Sequence, residues 1–248
     1  MPLTELETAI QEIDIYGFTL VQNALTPDQV RSMKEVLIHL NETVGEERVA
    51  PGSCRHITNL PVLDPIFFPI IDHPRTLLIL EHFLGQNLIL GSLNSRIVRP
   101  GDDDQGFHSD IPAAMLNMAS PVMMNTVWML DDFSPTNGGT RIVPGTHKSG
   151  LQRPPEGLEV KYHLQAEAPA GSVLIFNGQC WHAGGANTGT TNRHGLFSHY
   201  RKHMLMFQCD PHDNFPAEWY DRLTPRQKEL LRMTKGSGVP HASDAHLR

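Results

Sequence analysis

The chain has 248 residues, of which 40% are hydrophobic and 19% charged, and its formal net charge is −7 at pH 7. This length and composition fit one large globular domain with a substantial core. The acidic balance disfavours nucleic acid and anionic membranes as main partners. No apolar run reaches the roughly 18 residues of a membrane helix, and the N-terminus lacks a signal-peptide pattern. We therefore expect a cytoplasmic protein, monomer or homodimer, whose partner is a small molecule.

The first third of the chain alternates helical and extended patterns. Apolar residues at three-to-four spacing predict a helix over residues 3–14, and a strand follows over residues 16–21. Thr26 and Pro27 are typical of a helix start, and the apolar spacing continues to Leu40. We expect this second helix to cover a sheet.

A long irregular connection follows over residues 45–74, where periodicity fails and prolines recur. Its apolar residues, such as Ile57 and Phe67, favour an ordered cover over the mouth of a site. Residues 75–84 are predicted to form a helix that Gly85 ends.

From residue 88 onward the chain changes to short apolar runs bounded by turns. The predicted strands span residues 88–98, 122–130, 140–143, 171–176 and 194–200. Strands of this length and spacing after a helical start indicate a mainly β protein with flanking helices, whose core is a double-stranded β-helix, the cupin-like jelly roll.

A C-terminal helix completes this single domain over residues 1–248. Thr224 and Pro225 mark a helix start, and apolar and basic residues continue to Met233. We expect a helical preface over about 1–85, the jelly-roll core over about 86–210, and a C-terminal helix and tail over about 211–248. The residues from Gly236 onward are polar and predicted to be mobile.

Three cysteines, Cys54, Cys180 and Cys209, form neither a CxxC metal pattern nor an even disulfide set. We expect buried free thiols in a reducing compartment.

His108 and Asp110 stand two residues apart in an extended stretch, so their side chains are predicted to leave the same face. With His182 they supply the two histidines and one carboxylate of a facial triad, which leaves open positions on a bound iron. One His-x-Asp match is a weak signal, and the surroundings have to support it. The acidic run 102–104 lacks the ligand spacing of a calcium loop and is interpreted as a solvated loop.

Several motifs occur in a fixed order around this triad. They are Gln105–Asp110, Asn137–Arg141, Pro144–His147, Gly171–Ser172, His182 and Arg193. In order and spacing they resemble the phytanoyl-CoA dioxygenase family, and the similarity extends over nearly the whole chain.

This resemblance implies a jelly-roll oxygenase that uses Fe(II), 2-oxoglutarate and O2. His108, Asp110 and His182 would be the metal ligands, and Arg193 would bind the far carboxylate of 2-oxoglutarate, because a guanidinium offers two-pronged donors.

Gln105 and Thr140 match further co-substrate positions of the family, and Asn59 is a weaker third candidate. Many relatives carry a serine two residues after the distal histidine, where this chain has Gly184. His194, His199 and His203 lie near Arg193 but do not show the family's spacing between distal histidine and arginine, so we expect them to have structural or pocket roles.

The resemblance also implies the reaction. The retained Asp110 disfavours halogenation, because halogenating relatives have a small residue there. Hydroxylation of an unactivated C–H bond is the expected outcome, with desaturation, epimerisation and cyclisation left open.

The apolar, Met-rich stretch after the triad favours a small, largely apolar metabolite of natural-product or secondary metabolism. Its members are Ile111, Met115, Leu116, Met118 and Met123; core packing is the expected role for most of them, and a pocket wall for the remainder. Asn94 and Arg96 could present polar groups inward.

Two alternatives remain: a cupin-like metalloenzyme that is not an oxygenase, such as an isomerase or hydrolase, and a non-catalytic jelly roll that binds a small molecule. Arg193 favours the oxygenase, since the other metal chemistry needs no clamp for a distal carboxylate.

Overall fold

The structure, a computed structural model, describes residues 1, 3–44, 49–50 and 55–234. Its helices are α1 (Leu3–Tyr16), α2 (Pro27–Thr43), α3 (Phe68–Ile71), α4 (Pro74–Leu84) and α5 (Pro225–Leu230). Its strands are β1 (Phe18–Val21), β2 (Val49–Ala50), β3 (His56–Ile57), β4 (Leu88–Val98), β5 (Met123–Met129), β6 (Thr140–Ile142), β7 (Leu164–Gln165), β8 (Val173–Asn177), β9 (His182–Gly184) and β10 (Arg193–Lys202).

Two antiparallel sheets form the core. One has five strands in the order β1-β8-β5-β10-β4, and the other has three in the order β7-β6-β9. Apolar side chains of both sheets, including Val127, Ile142 and Phe176, pack together between them. The predicted jelly-roll class is confirmed. The short strands β7 and β9 were not predicted, and β9 carries His182.

The helix boundaries follow local signals. Thr26 caps α2 in a reciprocal capping box with Gln29, as the Thr-Pro start predicts. The first helix runs two residues past its predicted end, because Gly17 donates its N–H to the carbonyl of Ile13 and only then leaves the helix with φ +92°. A Cβ on Gly17 would lie 2.6 Å from Nδ1 of His147, so the close approach also requires glycine.

The described part of the connection 45–74, named the cover below, is ordered and packs in the main apolar core; its position over the mouth of a site stays a prediction. It contains two 3-10 turns, Leu60–Val62 and Pro65–Phe67, and the short helix α3. Tyr200 of β10 links the cover to the sheet. Its buried hydroxyl donates to the carbonyl oxygens of Ile70 and Ile71, at 2.9 and 3.0 Å. Pro51 and Gly52 lie outside the described residues.

The C-terminal helix starts where Thr224 and Pro225 predict, with a second capping box. The predicted extension to Met233 is wrong: the helix ends at Leu230, and Arg232 adopts φ +54°, which terminates helical geometry. The segment from Gly236 onward lies outside the described residues.

The two described cysteines are free thiols, as predicted. Cys180 is fully buried, but Cys209 is only half-buried, which corrects its expected burial, and Cys54 lies outside the described residues. Within the described ranges, none of the helices combines the length and apolarity needed to cross a bilayer.

Asp131, in the turn after β5, joins three elements. Its carboxylate accepts from the backbone N–H of His194 and lies 2.8 Å from His194 Nδ1, and it also forms an ion pair with Lys34 of α2. Burial alone would raise the pKa of Asp131, but the hydrogen bonds from His194 and Lys34 outweigh it and lower the pKa to about 2.

We predict that Asp131→Asn lowers the free energy of unfolding by roughly 1 to 2 kcal/mol at pH 7. A carboxylate with a depressed pKa stabilises the fold above its unfolded pKa, and this contribution disappears as the pH falls through the folded pKa. The difference between the two proteins should therefore shrink between about pH 4 and pH 2. Urea unfolding across this range measures it. The exposed Asp103→Asn is the control, and a difference independent of pH would contradict the assignment.

Candidate functional site

The site is built on one backbone pairing between two distant segments. His108 and His182 form an isolated antiparallel bridge, in which His108 N–H donates to the His182 carbonyl at 3.1 Å and His182 N–H donates back at 2.9 Å. The segment around His108 continues along β9, since Gln105 N–H donates to the Gly184 carbonyl at 2.9 Å. This pairing brings together two ligands that are 74 residues apart in sequence, as their numbers give.

The predicted ligands converge. Nε2 of His182 lies 3.4 Å from Oδ2 of Asp110, and Nε2 of His108 lies 3.7 Å from its Oδ1. One ligand atom from each of His108, Asp110 and His182 lies within 4.8 Å of the other two, so the three residues could hold one metal ion. They are the one such group among the described residues. The spacing prediction for His108 and Asp110 therefore matches the geometry.

Both imidazoles are oriented by backbone carbonyls. Nδ1 of His108 lies 2.9 Å from the Gly106 oxygen, and Nδ1 of His182 lies 3.1 Å from the Cys180 oxygen. A carbonyl can only accept, so each Nδ1 carries a proton, and each Nε2 is the ring atom left for a metal ion. This is how metal-binding histidines are commonly fixed.

The electrostatics keep Asp110 ionised. Burial alone would raise the pKa of Asp110, but the neighbouring imidazoles of His182, His199 and His108 outweigh it and lower the pKa. Burial lowers the pKa of His108, whereas at His182 the adjacent Asp110 carboxylate overcomes burial and raises the pKa. A charged oxygen ligand beside two imidazoles is a donor set that suits Fe(II).

Asn125 of β5 is a site residue that sequence reasoning missed. Its Nδ2 donates to Oδ2 of Asp110 at 2.7 Å, which fixes the carboxylate. A signal was present: Asn125 is a buried amide in the mostly apolar run Met123–Met129. A polar residue in such a strand needs a partner, and here the partner is the predicted ligand.

Arg141 holds the loop that precedes the triad. Its Nη1 pairs with Asp104 at 3.0 Å, and its Nη2 donates to the Gln105 carbonyl at 2.7 Å. The guanidinium also lies over the ring of Phe107, 4.9 Å from its centroid. The acidic run is therefore partly tied to the jelly roll through Asp104 and is not simply a solvated loop.

The triad opens into a cavity of about 190 Å³. Most of the residues that line it are of polar types. It is lined by His56, Arg96, Gln105, His108, Asp110, Asn125, Thr126, Thr140, Phe176, His182, Ala183, Gly184, Phe197, Ser198, His199 and Gln208. Gln105 and Thr140 lie in this wall, where the family resemblance expects them. The Oε1 of Gln105 accepts from the Gly184 N–H at 3.1 Å, so its two amide N–H donors are the part that could contact a ligand.

Arg193 does not line this cavity. It is fully buried, its Nη2 donates to the Gly138 carbonyl at 2.5 Å, and its guanidinium lies 4.3 Å from the centroid of Phe133. Asn59 is also outside the wall: its backbone N–H donates to Asn94 and its side chain donates to the Asp210 carbonyl.

The three other histidines near Arg193 have separate positions. His194 pairs with Asp131, and His203 is exposed. His199 lines the cavity with Nδ1 4.0 Å from Asp110 Oδ2, a pocket position as expected.

The Met-rich stretch after the triad does not form the cavity wall. Ile111, Leu116 and Met123 pack with Val122 in a small separate apolar cluster, and Met118 is exposed. Core packing is therefore the role of its buried members.

Known proteins share both sequence and fold with this chain. A dioxygenase of Aspergillus fumigatus, af480, is 28% identical over 180 residues, which is 71% of this chain but only 57% of that protein's length. The Fe(II)/2-oxoglutarate-dependent dioxygenase nvfF of Aspergillus novofumigatus is 29% identical over 248 aligned positions, covering 87% of this chain and 78% of that protein.

Solved structures with this fold include two with TM-scores of 0.67. The non-haem α-ketoglutarate-dependent epimerase SnoN from nogalamycin biosynthesis is 17% identical, over 80% of this chain and 84% of that chain. HygX of Streptomyces hygroscopicus, solved with nickel and 2-oxoglutarate, is 16% identical, over 81% of this chain and 88% of its own.

The sequence profile of the phytanoyl-CoA dioxygenase (PhyH) family matches residues 13–195, which is most of the chain and includes the predicted metal ligands and Arg193. The chain belongs to the phytanoyl-CoA dioxygenase family.

Proposed function

We propose that this protein is an Fe(II)- and 2-oxoglutarate-dependent dioxygenase that oxidises a C–H bond of a small organic molecule, with hydroxylation as the reaction. The observation that carries this proposal is the convergence of two pre-oriented imidazoles and one carboxylate, His108, His182 and Asp110, at the base of a cavity. The relative nvfF and the solved structure of HygX, each described with 2-oxoglutarate, support the choice of co-substrate.

The residues of the triad fit Fe(II). Two nitrogen ligands and one anionic oxygen on one side of an ion leave the other positions open. When bound there, iron and 2-oxoglutarate would supply the oxidising chemistry, in which O2 gives one oxygen atom to succinate, with loss of CO2, and the other to the substrate C–H bond.

The chain's own part is to bind and orient. The Gly106 and Cys180 carbonyls hold the imidazole tautomers, and Asn125 holds Asp110. Gln105 and Thr140 offer amide and hydroxyl groups to the co-substrate from the cavity wall. Arg193, buried and hydrogen-bonded to the Gly138 carbonyl, supplies the guanidinium for the far carboxylate of the co-substrate.

The substrate side of the cavity combines aromatic and polar surface. Phe176 and Phe197 supply apolar wall, but Nε2 of His56 and Nδ1 of His199 are buried and meet no hydrogen-bond partner among the described residues. Buried polar atoms of this kind are commonly satisfied by a ligand. We therefore propose a small substrate with an apolar body and at least one hydrogen-bonding group, a revision of the largely apolar metabolite that the Met-rich stretch favours.

We predict that purified protein supplied with Fe(II), ascorbate and 2-oxoglutarate releases succinate. Asp110→Ala should suppress this release by at least about 100-fold, because it removes the charged ligand. Succinate is measured by chromatography against an enzyme-free blank. His203→Ala, which changes an exposed histidine just after β10, should retain activity. Equal succinate from the Asp110→Ala protein would exclude this centre as the site of the reaction.

We also predict that Asn125→Ala weakens divalent metal binding by about 10- to 100-fold, since the Asp110 carboxylate loses the group that orients it. Calorimetric titration of the metal-free protein with Ni(II) or Co(II) measures the affinity, and a thermal melt checks folding. The control is Asn192→Ala on an exposed turn. An unchanged metal affinity in Asn125→Ala would show that Asp110 needs no such support.

A further inference from the structure

Gln208 lies at the opening of the cavity. It lines the cavity and is at the same time an exposed residue, so it borders both the ligand space and the solvent. It belongs to the loop that follows β10 and folds back onto β4. There the backbone N–H groups of Gln208 and Cys209 both donate to the Gly91 carbonyl, at 2.8 and 3.1 Å. The backbone of a core strand therefore fixes the position of Gln208.

The loop is held against β4 at a position without a side chain. A Cβ at Gly91 would lie 2.7 and 2.8 Å from Cδ and Nε of Arg201, so the Arg201 side chain occupies that space. Nη1 of Arg201 donates to the Met206 carbonyl at 2.8 Å, two residues before Gln208. The pairing of β10 with β4 also shifts register just after His199, and irregularities of this kind commonly redirect the chain beside a site.

The side-chain amide of Gln208 has a defined orientation. Ser92 of β4, which is buried, donates its hydroxyl to Oε1 of Gln208 at 2.7 Å. The amide oxygen is thereby engaged, and the two N–H groups of the same amide are left for another acceptor. Gln105 shows the same arrangement, since its Oε1 accepts from the Gly184 N–H. Both glutamines of the cavity wall therefore present donors to a ligand.

Gln208 and Arg193 belong to different ends of β10. Ser92, the partner of Gln208, lies opposite His199, whereas Arg193 is the first residue of the strand. These two levels are six residues apart (199 − 193), roughly 20 Å along the backbone. His199 is also the neighbour of the metal centre, with Nδ1 4.0 Å from Oδ2 of Asp110. A ligand group at Gln208 is therefore expected to belong to the substrate and not to the far end of the co-substrate.

We propose that Gln208 binds a carbonyl oxygen of the substrate, which makes Gln208 a specificity-determining residue and the substrate a ketone, ester or lactone. A carbonyl oxygen can only accept, so it matches an amide whose own oxygen is already engaged. This inference rests on the proposed function and names the hydrogen-bonding group that the proposed substrate carries.

The test is the binding of two probes to protein loaded with Ni(II) and 2-oxoglutarate, which does not turn over. 1-Indanone carries a carbonyl on a small apolar bicycle, and indane lacks it; titrations followed by NMR of the probe give both dissociation constants. Wild-type protein should bind 1-indanone at least about fivefold more tightly than indane. Gln208→Met, which has a similar length and no donor, should lose this preference and bind 2-oxoglutarate within about twofold of the wild type.

Two further variants examine the amide itself. Gln208→Glu keeps the shape but replaces the donors with a carboxylate that only accepts, so it should bind 1-indanone no better than indane. Ser92→Ala keeps the amide but removes the group that orients it, so the preference should fall only in part. The control is Gln86→Glu, the same chemical change at an exposed glutamine outside the cavity, which should bind both probes like the wild type. Thermal melts check that each variant is folded.

The outcomes separate the two proposals. If wild-type protein binds 2-oxoglutarate but binds both probes equally, or neither, the Gln208 assignment is overturned and the proposed function stands. An undiminished preference in Gln208→Met and Gln208→Glu overturns it as well, since another group would then hold the carbonyl. If Ni(II)-loaded wild-type protein does not bind 2-oxoglutarate, the proposed function fails and this inference with it. A preference that is lost in both Gln208 variants and retained in Gln86→Glu supports Gln208 as the carbonyl-binding residue.

Discussion

The double hydrogen bond between His108 and His182 is the constraint on which the site depends. It fixes two segments of distant sequence side by side, so that both imidazoles emerge next to each other with ring centroids 4.6 Å apart. Asp110 follows on the same face as His108, and its own N–H donates to the Gly178 carbonyl at 2.9 Å. Backbone pairing therefore sets the ligand geometry. We expect side-chain changes elsewhere in the cavity to leave this pairing intact.

Further hydrogen bonds around the triad hold its side chains in this geometry without a ligand. The Nδ1 atoms of both histidines, the carboxylate of Asp110 and the backbone of Gln105 all have protein partners. Preorganisation of this kind matters because a ligand set that must be ordered on binding loses affinity to conformational entropy. These contacts leave Nε2 of His108, Nε2 of His182 and the Asp110 carboxylate close together, with their ligand atoms within 4.8 Å of one another.

The sequence alone predicts the features that depend on local spacing. The alternation of His108 and Asp110, the Thr-Pro helix starts at residues 26 and 224, and the glycine stop at Gly85 are each determined within a few residues. It was insufficient for β9, because His-Ala-Gly is too short and has little strand propensity of its own; pairing with β6 makes it a strand. The end of α5 was also missed, since tertiary contacts decide where a helix stops.

The positions of the two arginines show why a cavity wall cannot be derived from spacing alone. Arg193 keeps the family's distance from His182, and its guanidinium is held by the Gly138 carbonyl and the Phe133 ring, which lie far away in the sequence. Arg96 had no motif to mark it; it lines the cavity beside Gly184, where a Cβ would lie 3.3 and 3.4 Å from its terminal nitrogens. A departure from the family pattern at one position thus changes what a residue on another strand can do.

Arg96 also affects the part of the cavity next to His56. His56 comes from the cover, whose Arg55 pairs with Ile97 of β4, so it lies next to Arg96. Burial, together with the charges of Arg96 and His199, lowers the pKa of His56 to about 4. His56 is consequently neutral at physiological pH and can both donate and accept a hydrogen bond. The cavity wall thereby presents a cation, Arg96, and beside it a neutral imidazole, His56, that can hydrogen-bond to a polar group of a ligand.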